Sequence, residues 1–264
     1  MYWQFYDLTQ DPFYRTPDPA CFFPNPHHED ALATLIDSLQ KHQGMGVLLG
    51  EAGLGKTLLL HVYLRLAQQR QYKTVYVAHT DLAFRTLLQV LYQALQLDFA
   101  TATLDSFVAA CQQRSVILGI DDAHLIPTLT LKKLCTLPEY AASAGVILHI
   151  VLAGHPELDS KLDALTLHRP MLDSVVRYIL SPLAPKECRA YIYHRLAQAT
   201  TQVETVFTFR ALTRIIKAAQ GIPATLNMLC TNALIAGFWA QQRPVSAKAA
   251  REAIAQCRIL AHPS

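Results

Sequence analysis

GVLLGEAGLGKTLLLHVYLRLA, residues 46–67, decides how the rest of the chain is read. A short apolar run enters a glycine-rich turn, and the turn enters a stretch whose apolar residues recur at helical spacing. The turn, Gly50–Thr57, fits G-x-x-x-x-G-K-[ST] at every fixed position, with Glu51, Ala52, Gly53 and Leu54 in the variable places before Gly55. Glycines let backbone N–H groups turn inward around anionic oxygens, and the N-terminus of the following helix adds partial positive charge. Lys56 adds a full charge, and the Thr57 hydroxyl suits a hard cation. Residues Gly50–Leu58 are therefore candidate contacts to the phosphates of a nucleotide, with Mg²⁺ at Thr57. A glycine-rich turn arising by chance is the alternative, and the strand–loop–helix setting argues against it.

A P-loop needs a partner carboxylate at the end of a neighbouring parallel strand. VILGIDDAHLI, residues 116–126, supplies one: a continuous apolar run ending on Asp121 and Asp122. Asp121 is the candidate Mg²⁺ carboxylate, and Asp122 stands where the group that polarises an attacking water is expected. Two like charges in one crevice are costly unless a metal shares them. The structural alternative for either residue is an aspartate capping the next helix.

The chain has 264 residues, 52% hydrophobic and 16% charged, enough for a full core and for one large domain or a domain with a smaller partner. A net charge of +3 is too mild to argue nucleic-acid binding by itself. The six cysteines are scattered without metal-ligand spacing, as expected of reduced thiols in a cytoplasmic protein. No apolar run reaches membrane-spanning length, so neither a membrane span nor a signal peptide is expected.

The fold class expected is α/β, a P-loop core with a five-stranded parallel sheet between helices, followed by a small all-helical domain. Strands are expected at 46–49, 74–78, 116–120, 146–152 and 177–180, alternating with helices at 29–41, 58–69, 81–95, 103–112 and 130–140. Strands apolar on both faces indicate a sheet covered on two sides. After Ser181-Pro182 only helices are read, at 186–199, 208–220, 223–241 and 246–256, so the domains are divided as 1–182 and 183–264. Prolines at 12, 17, 19, 24 and 26 make the start of the first domain an aromatic–proline arm rather than a long helix.

With these residues in place, the chain resembles the AAA+ ATPases of the general-secretion-pathway protein A family, the ExeA-like group, itself related to transposition ATPases. The likeness rests on Phe5, Leu8, Pro12-Phe13 and Pro17-Asp18 in the arm, the P-loop, and Asp121-Asp122-Ala123-His124. It continues through VLAGHPEL at 151–158, Arg177–Leu183, and Gly221-Ile222-Pro223 before LNMLC. The resemblance implies ATP and Mg²⁺ as cofactors, nucleotide between the core and a helical lid, and homo-oligomers in a ring or filament. It implies Phe13, with Pro12, beside the adenine, although hydrophobic packing explains them as well, and Pro223 as a lid contact to nucleotide. Protein partners in a membrane machine, or DNA, are the partners it implies.

Three departures fall on catalytic rather than binding positions. Asp122 replaces the usual Glu, and one missing methylene withdraws the carboxylate by roughly an ångström. Ala224 stands where the lid usually carries arginine, and Leu172-Asp173 where the family has Gln-Arg. Arg169 or Arg177 is the candidate replacement for an arginine supplied across a subunit interface, with Arg169 favoured and a plain solvated arginine the alternative. His155 takes the place of a polar residue that senses the γ-phosphate, or else caps the helix after it. These departures predict an ATPase that binds nucleotide well and hydrolyses it slowly, an assembly switch for a secretion, pilus or export machine. A DNA-bound AAA+ regulator using Arg65, Arg70, Lys73, Arg85, Lys132 and Lys133, and a scaffold with a vestigial site, are the competing expectations.

Overall fold

Three strands that are buried at every residue form the centre of the structure, a computed structural model that describes residues 1–14, 17–41, 44–78, 83–96, 103–111, 115–166 and 175–261. These are β1 (Met45–Leu49), β3 (Val116–Ile120) and β4 (Leu148–Gly154); β2 (Lys73–Val77) and β5 (Val176–Ile179) flank them. The sheet is parallel throughout, in the order β2-β3-β4-β1-β5. Only central parallel strands are covered on both faces, which is why β1, β3 and β4 read as unbroken apolar runs while the edges carry Lys73, Tyr76, Arg177 and Tyr178.

The chain divides into two compact units. The sheet unit comprises Asp18–Ala52 and Lys56–Leu180. It holds α2 (Pro26–Gln40), α3 (Lys56–Gln69), α4 (Phe84–Ala94), α5 (Leu104–Cys111), α6 (Thr128–Ser143) and α7 (Glu157–Thr166). Helix α2 starts on proline at its first position, with the Asn25 side chain accepting from His28 N at 2.7 Å. Helix α3 buries Leu59, Leu60, Tyr63, Leu64 and Ala67, one stripe at helical spacing, and each large side chain contributes about 1.5–3 kcal/mol. Gly119 in β3 lets that stripe come close: a Cβ there would sit 2.9 Å from Leu64 Cδ1 and 3.0 Å from Leu60 Cδ1.

The helical unit comprises Met1–Pro17, Gly53–Gly55 and Ser181–Ser264. It contains the four-residue α1 (Tyr2–Phe5), α8 (Pro185–Ala197), α9 (Phe209–Ala219), α10 (Pro223–Trp239) and α11 (Ala247–Ala261). Its division from the sheet unit corrects the expected domains, because the arm belongs with the helices. The physical reason is hydrogen bonding. Arg195, 3% exposed, donates to Pro12 O at 2.7 Å and Tyr14 O at 3.0 Å, Thr9 N donates to Ala199 O at 3.0 Å, and Tyr6 OH donates to Leu234 O at 3.1 Å. Within the same unit, Ala224 N donates to Gly53 O at 3.2 Å.

Two other differences concern the sheet unit. Strand β4 runs on to Gly154, because the small Ala153 and Gly154 pair with Leu48 and Leu49 of β1. Helix α7, expected only as an unbounded helix after His155, spans the polar stretch ELDSKLDALT, with Leu158 and Leu162 buried and Leu165 packed against the core. All six cysteines are free, five of them buried. Among the described residues no helix is long and apolar enough to cross a membrane.

Candidate functional site

The order of the sheet sets the geometry. Strand β4 lies between β1 and β3, so the loop after β1, the aspartates after β3 and His155 after β4 gather at one end of the sheet. Ligands of open parallel sheets bind at that carboxyl end. Gly50 N donates to Gly154 O at 3.2 Å, which ties the start of the P-loop to the end of β4. Gly53 and Gly55 have φ of 82° and 95°, a left-handed backbone that side chains resist, so the turn itself requires glycine. Leu54 between them is 2% exposed.

Lys56 opens α3 and is buried. Its ammonium donates to Gly50 O at 2.8 Å and Glu51 O at 2.9 Å, holding the loop curled around the charge. Burial lowers its pKa, while Asp121, Asp122 and Glu51 pull it back up. Two of the three ammonium hydrogens are directed at these carbonyls, and the third, with the charge, suits an anion. One residue on, the Thr57 hydroxyl donates to Asp121 Oδ2 at 2.6 Å. That is the short distance of a charge-assisted O–H···O⁻ bond.

Asp121 is the best-held carboxylate of the site. It is 5% exposed, its Oδ1 accepts from Asp122 N at 3.0 Å, and its Oδ2 accepts from Tyr76 OH at 3.1 Å as well as from Thr57. Tyr76 was missed in the sequence. The signal available was a single aromatic hydroxyl between Val75 and Val77 on the strand beside the one that ends in Asp121. Burial first, and then the Asp121 carboxylate, push the Tyr76 pKa above its usual phenol value, so the hydroxyl remains a donor.

Asp122 and His155 follow the same carboxyl ends of β3 and β4. Asp122 is exposed and has φ 46° and ψ 36°, a left-handed conformation in which Asp and Asn are enriched over longer side chains. His155 Nε2 lies 3.2 Å from Glu51 Oε2, and its ring centre is 5.6 Å from that of His124. The ring faces the P-loop, and only the backbone oxygen of His155 serves the helix after it, accepting from Leu158 N at 2.9 Å. Arg169 and Leu172-Asp173 lie outside the described residues. Arg177 is already engaged within its own unit, 2.9 Å from both Asp159 and Asp163 of α7. Phe13 is buried in the helical unit, edge-on to Phe207 at 6.4 Å, so hydrophobic packing describes it rather than an open face for a base. Pro223 is buried at the first position of α10, a helix-starting role.

A glycine-turned loop, a buried lysine and a hydroxyl hydrogen-bonded to a strand-end carboxylate are the parts of a P-loop nucleotide site. Residues 39–162 match the family model for the AAA domain. The chain is 34% identical over 251 residues, 90% of its length, to General secretion pathway protein A of Aeromonas hydrophila. Residues 39–162 therefore carry an AAA domain. The chain spans 45% of that relative's length. Among solved structures, Cdc6p of Pyrobaculum aerophilum is 18% identical with a TM-score of 0.74, covering 93% of this chain and 70% of that one. The ORC1 protein of Aeropyrum pernix, solved in complex with DNA, is 15% identical with a TM-score of 0.69, covering 95% and 70%. At such identities the likeness establishes the AAA+ fold.

The residues present also fit the expected cation. Mg²⁺ takes oxygen ligands, keeps several waters, and is commonly held through one carboxylate plus substrate phosphates. Thr57 and Asp121 offer that set, and no cluster of three His, Cys, Asp or Glu suited to another metal exists among the described residues.

Proposed function

We propose that this AAA+ chain binds ATP with Mg²⁺, hydrolyses it slowly, and uses the bound nucleotide to switch its own assembly into a ring or filament. The setting we propose is the cytoplasmic side of a secretion, pilus or export machine, in keeping with its likeness to General secretion pathway protein A. The observation that carries the nucleotide reading is the 2.6 Å bond between Thr57 and Asp121 beside the lysine-centred loop.

The loop amides from Gly50 to Thr57 and the Lys56 ammonium bind the phosphate oxygens, and the positive end of α3 adds to them. Thr57 and Asp121 would hold Mg²⁺, which when bound withdraws charge from the β- and γ-phosphate oxygens. Asp122 accepts a hydrogen bond from the attacking water and orients it, but from a side chain one methylene shorter than the family's usual Glu. His155 is held against the loop by Glu51, and its ring would donate to the γ-phosphate by exchanging that partner. Slow turnover follows from a water held out of line, since a misplacement of about 1 Å costs on the order of a hundredfold.

Light scattering with ATP, with ADP and without nucleotide tests the switch. The expected result is a larger particle with ATP than in the other two conditions; one size in all three contradicts it. A second reading, ATP-dependent oligomers on DNA, draws on the fold shared with a protein solved in complex with DNA. It predicts DNA binding that appears only with ATP and falls steeply with salt.

A further inference from the structure

Asp121 is gripped from a direction that the P-loop does not supply. Thr57 reaches it from α3, and Tyr76 reaches the same oxygen, Oδ2, from β2. Tyr76 is itself fixed. Its ring lies 4.3 Å from that of His61, one helical turn after Thr57 on α3, and across the ladder it pairs with Gly119 of β3. Gly119 is also where Leu60 and Leu64 press α3 against the sheet. Thr57 and His61, on one face of α3, thus meet Asp121 and Tyr76 respectively on neighbouring strands.

We propose that Tyr76 is a positioning residue, which holds the Asp121 carboxylate in the orientation that Mg²⁺ requires, and that His61 holds Tyr76 in turn. This rests on the nucleotide–Mg²⁺ reading above. A carboxylate on a single-bonded side chain rotates about its last bond, and the Thr57 hydroxyl alone fixes one oxygen by a group that must also face the cation. The phenol pins that oxygen a second time, from β2, while Asp122 N pins the other. Partners of this kind behind metal ligands are worth about 10–100-fold in metal affinity. The bond is not a packing contact: Tyr76 is half-buried, and replacing it by Phe keeps the ring against His61 while deleting only the donor.

The test is a titration of Mg²⁺ into protein with a fluorescent ATP analogue, read as nucleotide binding rather than turnover. For Tyr76→Phe the half-saturating Mg²⁺ concentration is expected to rise about tenfold, with nucleotide affinity in EDTA unchanged. His61→Ala is expected to shift it in the same direction by less. In an Asp121→Asn background, Tyr76→Phe is expected to add nothing further. An unmoved Mg²⁺ midpoint in Tyr76→Phe overturns the proposal, as does equal weakening in EDTA or a full additional shift on top of Asp121→Asn. A wild-type protein that binds the analogue equally with and without Mg²⁺ removes the nucleotide–Mg²⁺ reading itself, which is a distinguishable failure.

Discussion

Asp121 and Asp122 are adjacent in the chain and opposite in character. Asp121 is 5% exposed and takes donors from Thr57, Tyr76 and the next backbone amide, whereas Asp122 is exposed and sits in left-handed backbone. The same split runs through the whole crevice. On the side we assign to Mg²⁺, Lys56, Thr57 and Asp121 are locked by bonds of 2.6–2.9 Å among themselves and the loop. On the side we assign to the attacking water, His155 and Glu51 meet at 3.2 Å with side chains 32% and 64% exposed. A buried carboxylate with three donors cannot change length without stranding its partners, at about 1–3 kcal/mol for each group left unsatisfied. An exposed carboxylate such as Asp122 does not carry that burial cost. The Asp122 departure therefore falls on an exposed position rather than on the buried carboxylate.

The largest effect that would sharpen this contrast is on the metal side. Asp121→Asn should raise the half-saturating Mg²⁺ concentration for ATP binding, by the upper end of about 10–100-fold. Binding in EDTA, carried by the loop and Lys56, should persist. If Asp121→Asn instead binds Mg²⁺–ATP as the wild type does, the two sides do not differ in the way described.

Next in size is the water side. Asp122→Glu should raise single-turnover hydrolysis by about tenfold or more, toward the hundredfold that an ångström is worth. The left-handed backbone limits the gain, because it suits Asp better than Glu. A wild type that is already fast, and gains nothing from the longer side chain, would break the comparison.

A third change probes the packing that brings α3 to β3. Gly119→Ala places a Cβ 2.9 Å from Leu64 Cδ1, and overpacking of this kind costs about 1–3 kcal/mol. Thermal unfolding should show a lower Tm, and the Mg²⁺ midpoint should rise as Thr57 shifts against Asp121. The smallest effect is expected for Glu51→Gln. A polar contact this exposed is worth less than about 1 kcal/mol, so turnover should change by under roughly fivefold.

Much of this was legible in the sequence, and the failures have physical causes. The P-loop and the run ending in Asp121 were readable because their chemistry needs fixed residue types at fixed spacing. The parallel sheet was readable because central strands cannot afford polar positions on either face. Helix α7 was legible only as a helix after His155, without bounds, since Leu158, Leu162 and Leu165 are set among polar residues. The arm was placed with the wrong unit because its attachment depends on Arg195 and Leu234, far away in the chain. Tyr76 was invisible for the same reason: a strand tyrosine acquires its meaning only from the carboxylate next door. The left-handed backbone at Asp122 was signalled by residue type alone, which a helix-capping aspartate would share.

Calorimetric titration of ATP into the purified chain, with Mg²⁺ and in EDTA, tests the central claim most directly. The expected result is saturable binding that Mg²⁺ strengthens in the wild type and that is lost in Lys56→Ala. A wild type that gives no binding heat under either condition would contradict it.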